Sequence, residues 1–179
     1  QSVSLIAHWQ QSDIATATAL IREAEDRDLE GLLDNPQTLR MLFTAVSGNA
    51  NSWPNSKTQT YEMACAQLVR EHNDDHLAAT HHSASPDDKV LRAAGYLSAI
   101  LLLSGKASIA LQRQAEPKVG TVALPDLASS PDAPDVSICS AALQTRLFRG
   151  RRGGHFVPTN GTIRGYVGAQ YLLSRIRAH

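Results

Sequence analysis

The most apolar part of the chain runs from Asp87 to Lys106 and reads DDKVLRAAGYLSAILLLSGK. A Ser-Pro pair precedes it, as is typical of a helix N-cap and first turn, and Gly105 is typical of a helix end. Its second half is apolar on nearly every side, whereas a surface helix carries a single apolar stripe. We therefore expect this segment to form the central helix of a domain. Its longest apolar run, Leu97–Gly105, is too short to span a bilayer, so no membrane partner is expected.

Helical patterns also fill the chain before this segment. Ser12 and Asp13 are a good N-cap pair for a helix, and Asp34 or Asn35 caps a second one in which Pro36 takes the first turn. A third helix is predicted to begin after Ser56. Apolar residues recur at helical spacing in all three: Ile14, Ala17, Ile21 and Ala24; Leu39, Leu42, Phe43 and Val46; Tyr61, Ala64, Cys65, Leu68 and Val69.

The chain after the central helix predicts a different arrangement. Residues 116–135 are rich in Pro, Ser and Asp and predict a loop with at most short ordered pieces. A short helix over 136–147, a β-hairpin over 147–159 with a Gly/Arg turn, and a closing helix over 162–176 follow. We predict a mainly α fold: a helical (lid) domain over 1–83, then a winged-helix-like domain over 84–179 with one short β-hairpin as its wing.

The charge and the motifs exclude several functions. Seventeen basic and 17 acidic residues give a formal net charge of zero, so no global field attracts nucleic acid or a membrane surface. Neither a GxxxxGK[ST] phosphate loop nor a GxGxxG dinucleotide loop occurs, so we expect no nucleotide hydrolysis by this chain alone and no enzyme activity. Because residue 1 is Gln, we expect a processed product or part of a longer protein.

Two groups of potential metal-binding or redox residues have simple interpretations. His72 and His76 lie one helical turn apart, which can place two imidazoles on a metal ion and would suit a small metal-dependent enzyme. The pattern is not HExxH, however, and we favour a polar helix end with no metal. Cys65 and Cys139 lie in apolar helical settings and predict buried, reduced thiols in an intracellular protein.

The predicted hairpin turn concentrates three arginines, Arg149, Arg151 and Arg152. A winged helix with a basic wing can grip DNA phosphates, and a free-standing DNA-binding regulator is therefore the alternative hypothesis. A recognition helix should be basic as well, yet the predicted helix over 136–147 carries only Arg146. These patterns disfavour nucleic acid as a partner and favour a solvated turn or a contact with another domain.

Two stretches together resemble a known family. They are LLDNPQTLRMLFTAVSG with WPNSKTQTYEMACAQLVREHN, and AAGYLSAILLLSG with AALQTRLFRGRRGGHFVPTNGTIRGYVGAQYLL. In order and spacing they are similar to the region downstream of the P-loop domain in bacterial STAND ATPases of the NACHT-like type. The resemblance implies a non-catalytic helical and winged-helix part that packs on an ATPase domain upstream in the same chain. ATP or ADP would be the parent protein's cofactor, with none bound by this part alone.

The resemblance also implies roles for two residues. The family places a helical-domain Pro against the adenine or ribose, and Pro36 matches that position. It places a phosphate-sensing His at the joint before the closing helix, where this chain has Asn160; the family's acidic helix position is Gly165 here. Asn can donate a hydrogen bond but cannot carry the charge of His. The family implies a cytoplasmic protein that oligomerises in response to a signal, often in antiphage defence.

Overall fold

The computed structural model describes residues 14–33, 35–47, 53–70, 87–113, 119–127, 130 and 133–178. Contacts divide the chain into two compact units, Gln1–Gln67 and Leu68–His179. The domain boundary predicted at 83/84 lies outside the described residues and stays a prediction. No helix in the described ranges has the length and apolar character needed to cross a membrane.

The first unit is helical in its described part. Helix α1 spans Ile14–Glu25, a 3-10 turn spans Glu30–Leu32, α2 spans Pro36–Ser47, and α3 spans Lys57–Arg70 and continues into the second unit. Their apolar stripes form two clusters. One joins Ala24, Leu29, Leu32 and Leu42, with Leu33, Val46 and Trp53 packed against it. The other joins Ala17 and Leu39, with Leu20, Ile21, Leu33 and Phe43.

The second unit combines four helices with a small sheet. Its elements are α4 (Asp87–Leu103), β1 (Ser108–Ala110), β2 (Thr121–Ala123), α5 (Leu124–Leu127), α6 (Val136–Gln144), β3 (Phe148–Arg151), β4 (His155–Pro158) and α7 (Gly161–Arg177). The mainly α fold, with helices followed by a small unit that contains the β-hairpin, is as predicted. Helix α4 is buried along most of its length, and α6 is three residues shorter than expected because Thr145 is extended.

The sheet has four strands in the order β2-β1-β4-β3, so it is larger than the single hairpin predicted. Strands β3 and β4 form that hairpin, and β4 pairs with β1 in an antiparallel manner. Strand β2 adds to the other side of β1 in parallel. The order β1-β4-β3, together with two helices between β1 and β3, is winged-helix-like.

Helices α4 and α7 make the most extensive contact of this unit, and two glycines permit it. A Cβ on Gly95 would lie 2.9 Å from the carbonyl oxygen of Val167 and 2.9 Å from Cβ of Tyr171. A Cβ on Gly168 would lie 3.1 Å from the backbone nitrogen of Ala99. The helix backbones therefore approach too closely for a side chain at Gly95, and a side chain at Gly168 would require the Ala99 backbone to shift by a few tenths of an ångström.

We expect Gly95→Ala to destabilise the second unit by about 1–3 kcal/mol, because backbone atoms cannot give way to the new methyl group. The matched control is Gly165→Ala on α7, where no atom lies within 4 Å of the added Cβ. That change should stabilise the protein by up to about 1 kcal/mol, since Ala favours a helix over Gly. Urea unfolding curves measure both effects; equal shifts in the two variants would contradict the close crossing.

Both cysteines are free and buried, as predicted. Burial raises the pKa of Cys65 in α3 to about 12. Burial, with a smaller effect of the Asp135 carboxylate, raises the pKa of Cys139 in α6 to about 11. The reactive thiolate is therefore scarce at both sites near neutral pH.

We expect both thiols to resist a disulfide reagent at about pH 8 in the native protein. Their labelling should be slower by on the order of a hundredfold or more than in denaturant, because the thiolate is the nucleophile. The rate of labelling is measured as the increase in absorbance of the thiol that the disulfide reagent releases. One thiol that reacts at its unfolded rate in the native protein would disprove its burial.

Candidate functional site

Asn160 occupies the joint between the hairpin and the closing helix. Its backbone is extended, with φ −154° and ψ 165°, and its side-chain oxygen accepts a hydrogen bond of 2.7 Å from the backbone N–H of Ile163. Asn160 is thus the N-cap residue of α7, a position that favours Asn because its short side chain reaches the first turn. The amide group lies at the positive end of the helix dipole.

Thr159 fixes this joint to the start of the hairpin. Its backbone N–H donates to the carbonyl oxygen of Leu147 at 2.9 Å. Its hydroxyl donates to the carbonyl oxygen of Arg146 at 2.7 Å. The N-terminus of α7 is therefore attached to the chain on both sides of the wing, by β4 covalently and by these two bonds to the residues before β3.

Two donors near this helix start are chemically notable. The Nδ2 group of Asn160 has no hydrogen-bond partner among the described residues. Arg164, one turn further along α7, donates its backbone N–H to the carbonyl oxygen of Asn160, and its side-chain Nε is buried without a partner in the described part of the chain. Sequence reasoning missed Arg164, although a basic residue four positions after an N-cap was a visible signal.

Pro36 is the first residue of α2 and is exposed. Asn35 precedes it and accepts a hydrogen bond of 2.8 Å from the backbone N–H of Gln37 through its side-chain oxygen. Thr38 donates its hydroxyl to the carbonyl oxygen of Leu32 at 2.7 Å, which ties the helix start to the 3-10 turn. Pro36 thus takes a position where no backbone donor is required. It belongs to the first unit and Asn160 to the second.

The wing brings Arg149, Arg151 and Arg152 together on one hairpin, and all three are exposed. Arg149 and Arg151 are two residues apart on β3, so both side chains project from the same face. Arg152 lies in the turn with Gly153 and Gly154, whose φ values of 80° and 70° suit glycine. The apolar Phe148 and Phe156 lie on the opposite face and are each only 2% exposed.

The helix before the wing carries no charged side chain. Helix α6 has the sequence VSICSAALQ, and Asp135 caps it because its carboxylate accepts hydrogen bonds from the backbone N–H and the hydroxyl of Ser137. The hydroxyl bond and the backbone bond both lower the pKa of Asp135, so its carboxylate is ionised at neutral pH. At the position of a recognition helix, the unit therefore presents a negative end and no positive side chain.

Within the described ranges, no three His, Cys, Asp or Glu side chains are grouped as a metal ion would require. His72 and His76, the candidate pair, lie outside the described residues. The expectation that they hold no metal therefore stays a prediction.

The comparisons with known proteins leave the family open. No family model, no curated protein and no solved structure matches the chain. The roles of Pro36 and Asn160 consequently depend on the resemblance in motif order and on the local geometry described above.

We expect Asn160→Ala to destabilise the second unit by about 1 kcal/mol, because the backbone N–H of Ile163 loses its acceptor. Asn160→Asp retains an oxygen at the same position and adds a favourable interaction with the helix dipole, so it should cost little or nothing. Urea unfolding monitored by circular dichroism measures both. An equal loss of stability in the two variants would show that the side chain does not cap α7.

Proposed function

We propose that this chain is a non-catalytic regulatory part of a cytoplasmic STAND/NACHT-like ATPase. In this proposal the helical unit and the winged-helix-like unit pack on an upstream P-loop domain and couple its bound ATP or ADP to oligomerisation, in the setting of antiphage defence. The observation that carries the proposal is Asn160, because a polar side chain caps the closing helix directly after the hairpin. This is the place at which the resemblance implies contact with the nucleotide.

The geometry supports contact with a phosphate at this joint. The N-terminus of α7 presents backbone N–H groups and a positive dipole end, which favour an anion. Asn160 uses its oxygen to cap the helix, so its Nδ2 group can donate to a phosphate oxygen. Asn160 lacks the positive charge of the family's His, and Arg164, one turn away, would supply positive charge near the same helix end.

Coupling of the bound nucleotide to assembly requires a difference in contacts between two states. A ligand shifts an equilibrium only as far as its affinities for the two states differ. A hydrogen bond from Asn160 that forms with ADP and is lost with ATP, or the reverse, would provide such a difference of about 1–1.5 kcal/mol. Thr159 at the joint is hydrogen-bonded to Arg146 and Leu147, which directly precede β3. A shift of α7 would therefore move the hairpin with it.

The first test of the proposal is the coding sequence upstream of Gln1. It should encode a GxxxxGK[ST] motif, followed by the remainder of a P-loop domain. If the gene encodes no such domain in the same reading frame, the chain is not a regulatory part of this kind of ATPase.

The second test uses the protein encoded by the complete gene and compares its affinities for ADP and ATP. We expect Asn160→Ser to weaken binding of the nucleotide that Asn160 contacts, ADP or ATP, by about five- to tenfold, since Ser retains the helix cap but lacks the amide donor. Asn160→His should strengthen it only at a pH low enough to protonate the imidazole, because the neutral ring adds no charge. Isothermal titration calorimetry measures both affinities.

The matched control is Asn55→Ser, which changes an exposed Asn in the first unit. It should leave both nucleotide affinities unchanged. If Asn160→Ser behaves like this control, Asn160 does not contact nucleotide and the proposed coupling through the joint is wrong.

A further inference from the structure

The net charge of zero conceals a strong segregation of charge along the chain. The unit Gln1–Gln67 has four basic and eight acidic residues, whereas the unit Leu68–His179 has 13 basic and nine acidic residues. The two units therefore have formal charges of −4 and +4. Overall neutrality therefore does not disfavour an anionic partner for the second unit taken by itself.

The positive charge is concentrated at the end of the second unit. From Val136 to His179 the sequence contains seven arginines and no Asp, Glu or Lys. Arginine rather than lysine throughout is notable because a guanidinium binds phosphate oxygens in a bidentate manner, whereas an ammonium acts as a point charge. The composition of this segment thus favours a partner that carries phosphate groups.

Three of the seven arginines lie on the wing, and the fold leaves them accessible. Arg149, Arg151 and Arg152 are exposed, and none forms an ion pair with another described residue. Arg149 and Arg151 project from the same face about 6.6–6.8 Å apart along the strand. Gly153 and Gly154 complete the turn without side chains, so arginine alone forms the tip of the hairpin.

The surroundings of the wing distinguish between kinds of nucleic acid. Single strands are bound mainly by stacking on aromatic side chains, and both aromatic residues of the hairpin, Phe148 and Phe156, are buried. A two-stranded β-ribbon fits the major groove of B-form DNA, whereas the major groove of A-form RNA is too narrow for side-chain contacts. Duplex DNA is the partner that these features fit.

The surroundings also determine how such a duplex would be bound. Helix α6 has no side chain of the kind that reads guanine, and the ionised Asp135 at its N-cap repels phosphate. We propose that the wing hairpin enters the major groove of duplex DNA and binds the flanking phosphates without sequence preference, as a contact separate from the joint at Asn160. The wing arginines, and not the helix in the recognition position, supply the binding energy.

The test measures binding of the full chain to two unrelated 20-base-pair duplexes by fluorescence anisotropy. Three phosphate contacts predict that the logarithm of the association constant falls with the logarithm of salt concentration with a slope of about −2.7. Affinity should therefore drop about fortyfold between about 50 and 200 mM salt. The two duplexes should bind equally, and R149Q/R151Q/R152Q should abolish most of the binding and of the slope.

The matched control removes the same charge elsewhere, from the exposed Arg22, Arg40 and Arg92. R22Q/R40Q/R92Q should retain the affinity and the slope of the unmodified chain. Circular dichroism and urea unfolding of every variant separate loss of the contact from loss of the fold.

A lysine variant separates the effect of charge from the effect of bidentate contacts, and loss of the fold could not produce the expected result. R149K/R151K/R152K keeps the charge, so it should keep most of the salt slope while its affinity falls several-fold through loss of bidentate contacts. Equal loss of binding in the wing and control variants would overturn the proposal. So would tighter binding to single-stranded DNA, duplex RNA or anionic lipid vesicles than to duplex DNA.

Failure of this proposal and failure of the nucleotide proposal are distinguishable. The wing variants leave Asn160 and its cap unchanged, so nucleotide affinity in the complete protein should not depend on them in the absence of DNA.

Discussion

The crossing of α4 and α7 is the contact on which the second unit depends. Helix α4 is buried along most of its length, and α7 is the element that brings the end of the chain back onto it. The two backbones approach through Gly95 and Gly168, so the relative position of the helices is set by main-chain atoms rather than by adaptable side chains. Because α7 begins at the joint, this contact also sets where Asn160 lies.

Hydrogen bonds on both sides make the joint at Asn160 a well-defined site, although it connects a hairpin to a helix. A loop residue usually has a freer backbone than the elements it joins. Here the capping bond of Asn160 secures one side of the joint and the two hydrogen bonds of Thr159 secure the other. The polar group at position 160 is therefore held in place by the fold itself, so the proposed contact with nucleotide would lose little conformational entropy.

The sequence predicted the elements that have a clear local signal. The helices follow from their apolar periodicity, and the hairpin follows from the Gly/Arg turn between two apolar ends. The cap at Asn35 is predictable from the sequence for the same reason, because capping depends on residues within one turn. Each of these features is determined by neighbours along the chain.

Features that depend on distant partners were not predicted. Strands β1 and β2 have three residues each, too few to show an alternating pattern, and they exist because residues far apart in the chain pair side by side. The role of Gly95 depends on Val167 and Tyr171, which only the fold brings near. The exposure of the wing arginines likewise required the register that turns Phe148 inward.

The register of the hairpin also links the two proposed contacts. Arg149 pairs with Val157 on β4, and Asn160 follows only three residues later, so one hairpin connects the wing arginines to the joint at Asn160. If nucleotide exchange moves α7, the wing moves as well, and the affinity for duplex DNA changes by some factor. Linkage then requires duplex DNA to change nucleotide affinity by the same factor. If neither equilibrium affinity depends on the other ligand, β4 does not transmit the movement.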